Sequence, residues 1–128
     1  MTLQSLQLST SDGVSTLTLN NPNRHNAMNF AMRLALPDLL QSVAEDQSTR
    51  LLVLTGAGER AFCSGNDVSE FDQVRSTPAQ IEHHNRLQRT VCERLARLPK
   101  PAIAMIDGAL ERDPDAYSMI MFVLFRAN

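Results

Sequence analysis

Apolar and polar positions alternate near the start of the chain and then fall at helical spacing. Residues 6–8 and Val14–Leu19 alternate on either side of a turn at residues 11–13, which predicts an antiparallel hairpin with one apolar face. Through Phe30–Glu45 the apolar residues recur with the period of an amphipathic helix. Pro37 lies inside this pattern and predicts either a kink or a later start, because proline removes one donor of the helical ladder.

Two continuous apolar runs, residues 51–54 and 102–106, predict strands that are buried on both faces, as in a parallel sheet. Residues 57–66 are expected to form a glycine-containing loop, followed by a helix start with Asp67 near the cap. The alternation of strands and helices is typical of an α/β fold.

A second helix is predicted from Thr77 to about Leu98. Thr77 and Gln80 have the spacing of a capping box, and the helix carries an apolar stripe. The residues of the stripe are Ile81, Leu87, Val91 and Leu95, with Ile81 offset from the others. His83 and His84 fall on a polar segment and are expected to be solvated.

Composition narrows the function classes. The chain has 128 residues, 43% of them hydrophobic, and a formal net charge of -2, so a core is possible and neither nucleic acid nor an anionic membrane is an expected partner. The two cysteines, Cys63 and Cys92, have no metal or redox spacing, which favours a reduced cytoplasmic compartment and no metal site. The longest apolar stretch, residues 119–125, is shorter than the roughly 20 residues that span a bilayer.

Three short blocks carry a family resemblance. Residues 22–28 read Pro-Asn-Arg-His-Asn-Ala-Met, residues 53–68 contain Thr-Gly-Ala-Gly and then Phe-Cys-Ser-Gly-Asn-Asp-Val, and residues 99–109 read Pro-Lys-Pro-Ala-Ile-Ala-Met-Ile-Asp-Gly-Ala. In this order they resemble the N-terminal half of the enoyl-CoA hydratase/isomerase (crotonase) family. The resemblance implies an α/β, crotonase-like ββα spiral that is incomplete here. The Ser-Gly-Asn-Asp sequence is similar to the subgroup that contains Δ3,Δ2-enoyl-CoA isomerases.

The resemblance implies addition of water to, or movement of, a carbon–carbon double bond in an acyl-CoA thioester. Coenzyme A enters as part of the substrate, and no separate cofactor is implied. Such chemistry builds negative charge on the thioester oxygen, and losing one backbone donor to that oxygen costs about 3–4 kcal/mol. By resemblance, the N–H of Ser64 is the first donor, Gly65 permits the turn, and Asp67 begins a helix whose amides favour negative charge.

The resemblance also implies a set of residues that contact the CoA thioester. They are Arg24, Asn26, Ala27, Cys63, Ser64, Gly65, Asn66, Asp67, Val68 and Gly108. Arg24 either holds a phosphate or is a solvated loop cation. Ser64 has two other interpretations, a loop serine without a role and a nucleophile, although no His or Asp is spaced to support the second.

The resemblance ends after residue 109. No glycine follows Gly108, so neither the second oxyanion donor nor the family's catalytic glutamates are recognisable. We expect a crotonase-like core over residues 1–109 and a divergent tail over residues 110–128, with a frameshift or premature stop as the hypothesis. Three interpretations stay open: a hydratase or isomerase, an inactive truncated remnant that at most binds CoA or pairs with a full-length relative, and a fragment of a longer active enzyme. The family's trimers and hexamers are not extended to this chain, because much of that interface belongs to the C-terminal half.

Overall fold

A computed structural model of the chain describes residues 4–106 and the backbone of residues 109–110. In chain order the elements are β1 (Leu6–Ser11), β2 (Val14–Leu19), α1 (Phe30–Glu45), β3 (Leu51–Gly56), β4 (Ala61–Cys63), α2 (Phe71–Val74), α3 (Pro78–Ala96), β5 (Ala102–Met105) and β6 (Ala109–Leu110). Short 3-10 turns cover Pro22–Arg24 and Val68–Glu70.

The main sheet has the strand order β1-β2-β3-β5. Strands β1 and β2 form the predicted antiparallel hairpin, whereas β2, β3 and β5 run parallel to one another. The hairpin turn places Asp12 at φ 54° and Gly13 at φ 82°, two left-handed positions of the kind that suits the twist of a tight hairpin. The predicted α/β architecture is confirmed.

A second, two-stranded pairing was not expected from the sequence. The predicted loop of residues 57–66 contains β4, which pairs in parallel with β6 through Ala61 and Ala109. Three residues of strand leave too short a pattern to recognise, and the partner is distant in sequence. The core boundary expected at residue 109 stays a prediction, and residues 111–128 of the predicted tail lie outside the described residues.

Helix α1 begins at Phe30, where the Asn29 side chain accepts a hydrogen bond from the Met32 amide at 2.8 Å. The helix continues through Pro37, so a later start is wrong. The Pro37 carbonyl accepts a hydrogen bond from Nη1 of Arg94 at 2.6 Å, which ties α1 to α3.

Helix α3 begins with the predicted capping box: the Thr77 hydroxyl accepts from the Gln80 amide, and the Gln80 side chain accepts from the Thr77 amide. It ends at Ala96, slightly before the predicted end. His83 is exposed as predicted, but the prediction for His84 is wrong, because only 4% of its surface is accessible. His84 lies seven residues before Val91, so both fall on the inward face of the helix.

Strand β5 is buried on one face only. Ala102 and Ala104 pack against the core, whereas Ile103 and Met105 are 50% and 54% exposed. The prediction of burial on both faces is wrong, because the described residues cover the sheet with helices on one face alone. That helix-covered face meets a core built from β1, β2, β3, α1 and α3. No helix among the described residues is both long and apolar enough to cross a membrane.

The link between α1 and β3 is held by Asp46. Its carboxylate accepts hydrogen bonds from the Ser48 hydroxyl at 2.7 Å, the Ser48 amide at 2.9 Å and the Thr49 hydroxyl at 3.0 Å. Thr49 in turn shares a 2.6 Å hydrogen bond with the buried hydroxyl of Ser15 in β2. Lys100 donates to the backbone carbonyls of Val43 and Asp46, which stabilises the C-terminus of α1.

These contacts predict an acid-sensitive contribution to stability. The Ser48 hydrogen bonds, the Thr49 hydroxyl and the charge of Lys100 hold the pKa of the Asp46 carboxyl below its ordinary value of 3.8. A lowered pKa stabilises the fold above the unfolded-state value, and this contribution is lost as the pH falls through the folded-state value. We expect Asp46→Asn to have a lower Tm than the wild type near neutral pH, with a gap that narrows below pH 3.8.

Circular dichroism melts of the wild type and Asp46→Asn, from neutral pH to below pH 3.8, measure the difference in Tm. Asp72→Asn, which changes an exposed carboxylate of α2, is the matched control. A gap that is the same at every pH would contradict the assignment.

Candidate functional site

Two loops and one turn meet at the carboxyl ends of β2 and β3. The first loop, residues 20–29, follows β2, and the second, residues 57–60, follows β3. The turn at residues 64–67 follows β4 and lies against the first loop. The ends of parallel strands are where open α/β sheets place their ligands.

The Asn26 side chain joins the two loops. It is 1% exposed, its Oδ1 accepts from the Asn21 amide at 2.9 Å, and its Nδ2 donates to the carbonyls of Ala57 at 3.0 Å and Ala61 at 2.7 Å. Both amide protons are therefore used within the protein. The Asn26 side chain thereby holds the site together, and the expectation that Asn26 contacts CoA stays a prediction.

Gly56 allows β3 and β4 to approach closely. A Cβ atom at this position would lie 2.4 Å from the Phe62 carbonyl oxygen and 2.7 Å from that of Ala61. Real Cβ atoms do not reach such distances from backbone, so the position requires glycine. Gly58, at φ 75°, has no atom within 4 Å of a Cβ and is constrained only by its backbone angle.

A cleft of about 340 Å³ opens between the two loops. It is lined by Pro22, His25, Asn26, Ala57, Gly58, Glu59, Arg60 and Ala61. Arg60 and His25 are exposed at the cleft, and Arg24 is exposed beside His25. Glu59 adds one negative charge to the same wall, so the cleft combines a cation-bearing rim with backbone from both loops.

The amide of Ser64 is already engaged. It donates to the His25 carbonyl at 3.1 Å, and the Ser64 hydroxyl donates to the Arg24 carbonyl at 3.0 Å. Both groups of Ser64 therefore dock the turn on the first loop. The assignment of its N–H as the oxyanion donor stays a prediction.

Gly65 makes the turn itself. Its φ of 104° lies in the region that favours glycine, as predicted. Its carbonyl accepts from the Met28 amide at 2.7 Å, and the Met28 carbonyl accepts from the Asp67 amide at 3.0 Å. The backbone on both sides of Asn66 is thereby fixed to the first loop.

Asp67 is a cap, as predicted, because its carboxylate accepts from the Ser69 amide at 3.1 Å. The helix expected after it is a three-residue 3-10 turn followed by the four residues of α2. So short a segment aligns few peptide dipoles, and the expectation that helix amides here favour negative charge is corrected.

A polar cluster lies beneath the turn: Arg33 and His84 are buried, and Asn66 and Gln88 are half-buried. Arg33 is 3% exposed, and its guanidinium donates to Oδ1 of Asn66 and to Oε1 of Gln88. His84 lies beside Arg33 and Asn66 and meets the ring of Phe71 edge-on at 6.4 Å between centroids. This cluster was not predicted from the sequence, although Arg33 stands three residues before the core residue Leu36, where a cation is unusual.

Comparison with known proteins places this geometry in a family. A sequence model described as enoyl-CoA hydratase/isomerase matches residues 14–110. The chain belongs to the enoyl-CoA hydratase/isomerase family. Its fold is that of the crotonase-like members with solved structures.

Three relatives illustrate the match. The 1,2-epoxyphenylacetyl-CoA isomerase of Escherichia coli K12 is 41% identical over 98 residues, which are 75% of this chain and 37% of that protein. The hydroxycinnamoyl-CoA hydratase-lyase of Pseudomonas fluorescens is 35% identical over 76% of this chain and 36% of that protein. The crystal structure of an enoyl-CoA hydratase from Bacillus anthracis superposes with a TM-score of 0.74 at 33% identity, over 82% of this chain and 40% of that one. The chain thus spans less than half the length of these relatives.

Of the remaining residues predicted to contact the CoA thioester, some lie on the surface and others in the interior of this family member. Val68 is 67% exposed beside the turn, whereas Ala27 and Cys63 are buried and support it from within. The Cys63 sulfur accepts a hydrogen bond from the Gly65 amide at 3.4 Å. Gly108 lies outside the described residues.

Asn26→Ala should destabilise the protein by about 2–4 kcal/mol, because it removes the partner of the buried Ala61 carbonyl and of a part-buried backbone group in each loop. Urea denaturation followed by circular dichroism measures the loss. Asn23→Ala removes an exposed amide from the same loop and should change stability by no more than about 0.5 kcal/mol. Equal effects of the two substitutions would contradict the role of Asn26.

Gly56→Ala should destabilise by about 3 kcal/mol, because the added methyl group overlaps two carbonyl oxygens of β4. Gly58→Ala should cost only about 1 kcal/mol, the strain of a left-handed alanine in open space. The same denaturation experiment ranks them. A larger loss for Gly58→Ala would show that the contact between β3 and β4 is less close than described.

Proposed function

We propose that the chain binds an acyl-CoA thioester, with the CoA arm in the cleft between the two loops and the thioester against residues 65–68. The observation that carries the proposal is the Asn26 junction, because it sets the cleft and the Gly65 turn side by side in one rigid unit. A ligand with a phosphate-bearing arm and a reactive carbonyl fits this arrangement.

The cations at the cleft support binding of the CoA arm. Arg60 lines the cleft and Arg24 is adjacent, so phosphate oxygens within it have guanidinium donors nearby. Glu59 opposes part of this positive charge. Of the two arginines, only Arg60 lines the cleft itself. Arg24 and Arg60 are exposed, and their contribution should fall with added salt.

The turn supports binding of the thioester. Gly65 exposes backbone without a side chain, and the flanking residues are held in place by Met28. Backbone donors fixed in advance stabilise the oxygen of an enolate without reorganisation. The amides of Ser64, Gly65 and Asp67 all donate within the protein, so the proposal places the thioester against the turn as a whole, at residues 65–68, and assigns no single amide as its donor.

The reaction proposed for the whole protein is of the enoyl-CoA hydratase or Δ3,Δ2-enoyl-CoA isomerase type. The Ser-Gly-Asn-Asp turn favours the isomerase, and relatives with isomerase and hydratase names are both similar to this chain. The acid–base groups of such a reaction must lie within hydrogen-bond reach of the reacting carbons. No residue of the described part is assigned to that role.

A second candidate function is a catalytically inactive binding remnant, or one that pairs with a full-length relative. It is favoured by one observation: no glycine follows Gly108 in this sequence, so a second glycine turn that could supply the other oxyanion donor is not recognisable.

Arg60→Ala should weaken binding of CoA and of crotonyl-CoA by about tenfold, because a charge-assisted contact to phosphate is lost. Isothermal titration at low and moderate salt measures both ligands. Arg97→Ala removes an exposed arginine at the end of α3 and should leave both affinities unchanged. Unchanged affinity of Arg60→Ala for both ligands would contradict the placement of the CoA arm in this cleft.

Turnover assays with a 2-enoyl-CoA and a 3-enoyl-CoA separate the two candidates. Turnover by this chain rules out the remnant. Binding without turnover supports it, and the absence of binding as well would overturn the proposed function.

A further inference from the structure

We infer that Arg33 is a positioning residue that holds the thioester turn from beneath, an inference that rests on the proposed function for its ligand. The guanidinium connects three elements: α1, which carries Arg33, the turn through Asn66, and α3 through Gln88. No substrate contact is assigned to it.

The burial of Arg33 has a cost in free energy that a purely structural role does not explain. A cation that is 3% exposed has lost its water, and apolar residues of similar volume usually fill such a place at lower cost. What an apolar side chain cannot provide is direction. The guanidinium is a planar fork that holds two acceptors at a fixed separation.

The turn is consequently fixed from two sides. The first loop holds its backbone, through the hydrogen bonds that join Met28 to Gly65 and Asp67. Arg33 holds the side chain between them, that of Asn66. With both restraints the peptide units around Asn66 have one orientation, and these are the units against which the thioester is placed.

Arginine is required here because the two acceptors come from different elements. A lysine at position 33 keeps the charge, but its single ammonium group lacks the rigid fork. A role that needs only positive charge in the core is therefore rescued by Arg33→Lys, whereas a positioning role is not.

Hydrogen exchange in the full chain, measured by NMR without ligand, tests the restraint directly. The amides of Ser64 and Asp67 report on the turn, because both donate to the first loop. In Arg33→Lys and Arg33→Met we expect their protection to fall by about tenfold relative to the amides of β3, which report on global stability. Wild-type protection in both variants would overturn the inference.

Arg94→Met is the matched control. Arg94 also joins α3 to α1, through the Pro37 carbonyl, but lies away from the turn. We expect it to leave the protection of Ser64 and Asp67 unchanged relative to β3. Equal loss of protection in Arg94→Met would mean that any loosening of the helices frees the turn, and it would overturn a specific role of Arg33.

Ligand binding provides a second readout. Arg33→Lys should weaken crotonyl-CoA by about tenfold and leave free CoA unchanged, because only the thioester depends on the turn. Equal weakening of both ligands would show a general structural effect and would overturn the inference. If the wild type binds neither ligand, the proposed function fails, whereas the exchange experiment still decides whether Arg33 holds the turn.

Asn66→Leu keeps the inference testable if the Arg33 variants do not fold. It cuts the connection on the side of the turn and leaves the connection between α1 and α3 through Gln88 in place. We expect the same loss of protection at Ser64 and Asp67. Wild-type protection in Asn66→Leu would overturn the inference.

Discussion

The hydrogen bonds of the Asn26 side-chain amide are the constraint on which the candidate site depends. One buried group pairs with backbone of the loop after β2 and of the segment that leads into β4. Each partner would otherwise be a desolvated polar atom with a cost of about 1–3 kcal/mol, so the two segments remain together. The glycine at position 56 permits this approach, since any side chain there would meet β4.

The site consists of a polar surface that rests on a polar support. The cleft and the Gly65 turn face outward, whereas Arg33, Gln88 and Asn66 lie below and connect the turn to both long helices. Ser64 joins these two parts, because its amide and hydroxyl dock the turn on the first loop. The exposed Ile103 and Met105 of β5 mark a second face of the sheet that the described residues leave open. The chain spans 37% of the length of its Escherichia coli relative.

Much of the fold was predictable, because the interactions that define it are local. The hairpin follows from alternation around Asp12 and Gly13, and α3 starts where the capping box of Thr77 and Gln80 places it. The family was predictable from three blocks of residues and is confirmed. Strand β4 was missed, because three residues define no period and its partner lies far along the chain. The burial of His84 was missed, although its spacing to Val91 carried the signal.

The sequence by itself determined the order of the elements, the family and the position of the Gly65 turn, since these depend on periodicity, caps and short motifs. Only the tertiary structure decided which amides and side chains remain available to a ligand. Asn26 and Ser64 have the residue types of a binding site, but their partners are carbonyls brought close by chain folding. A hydrogen-bonding group has limited capacity, and whether folding has already used it depends on distances in space that no local pattern records.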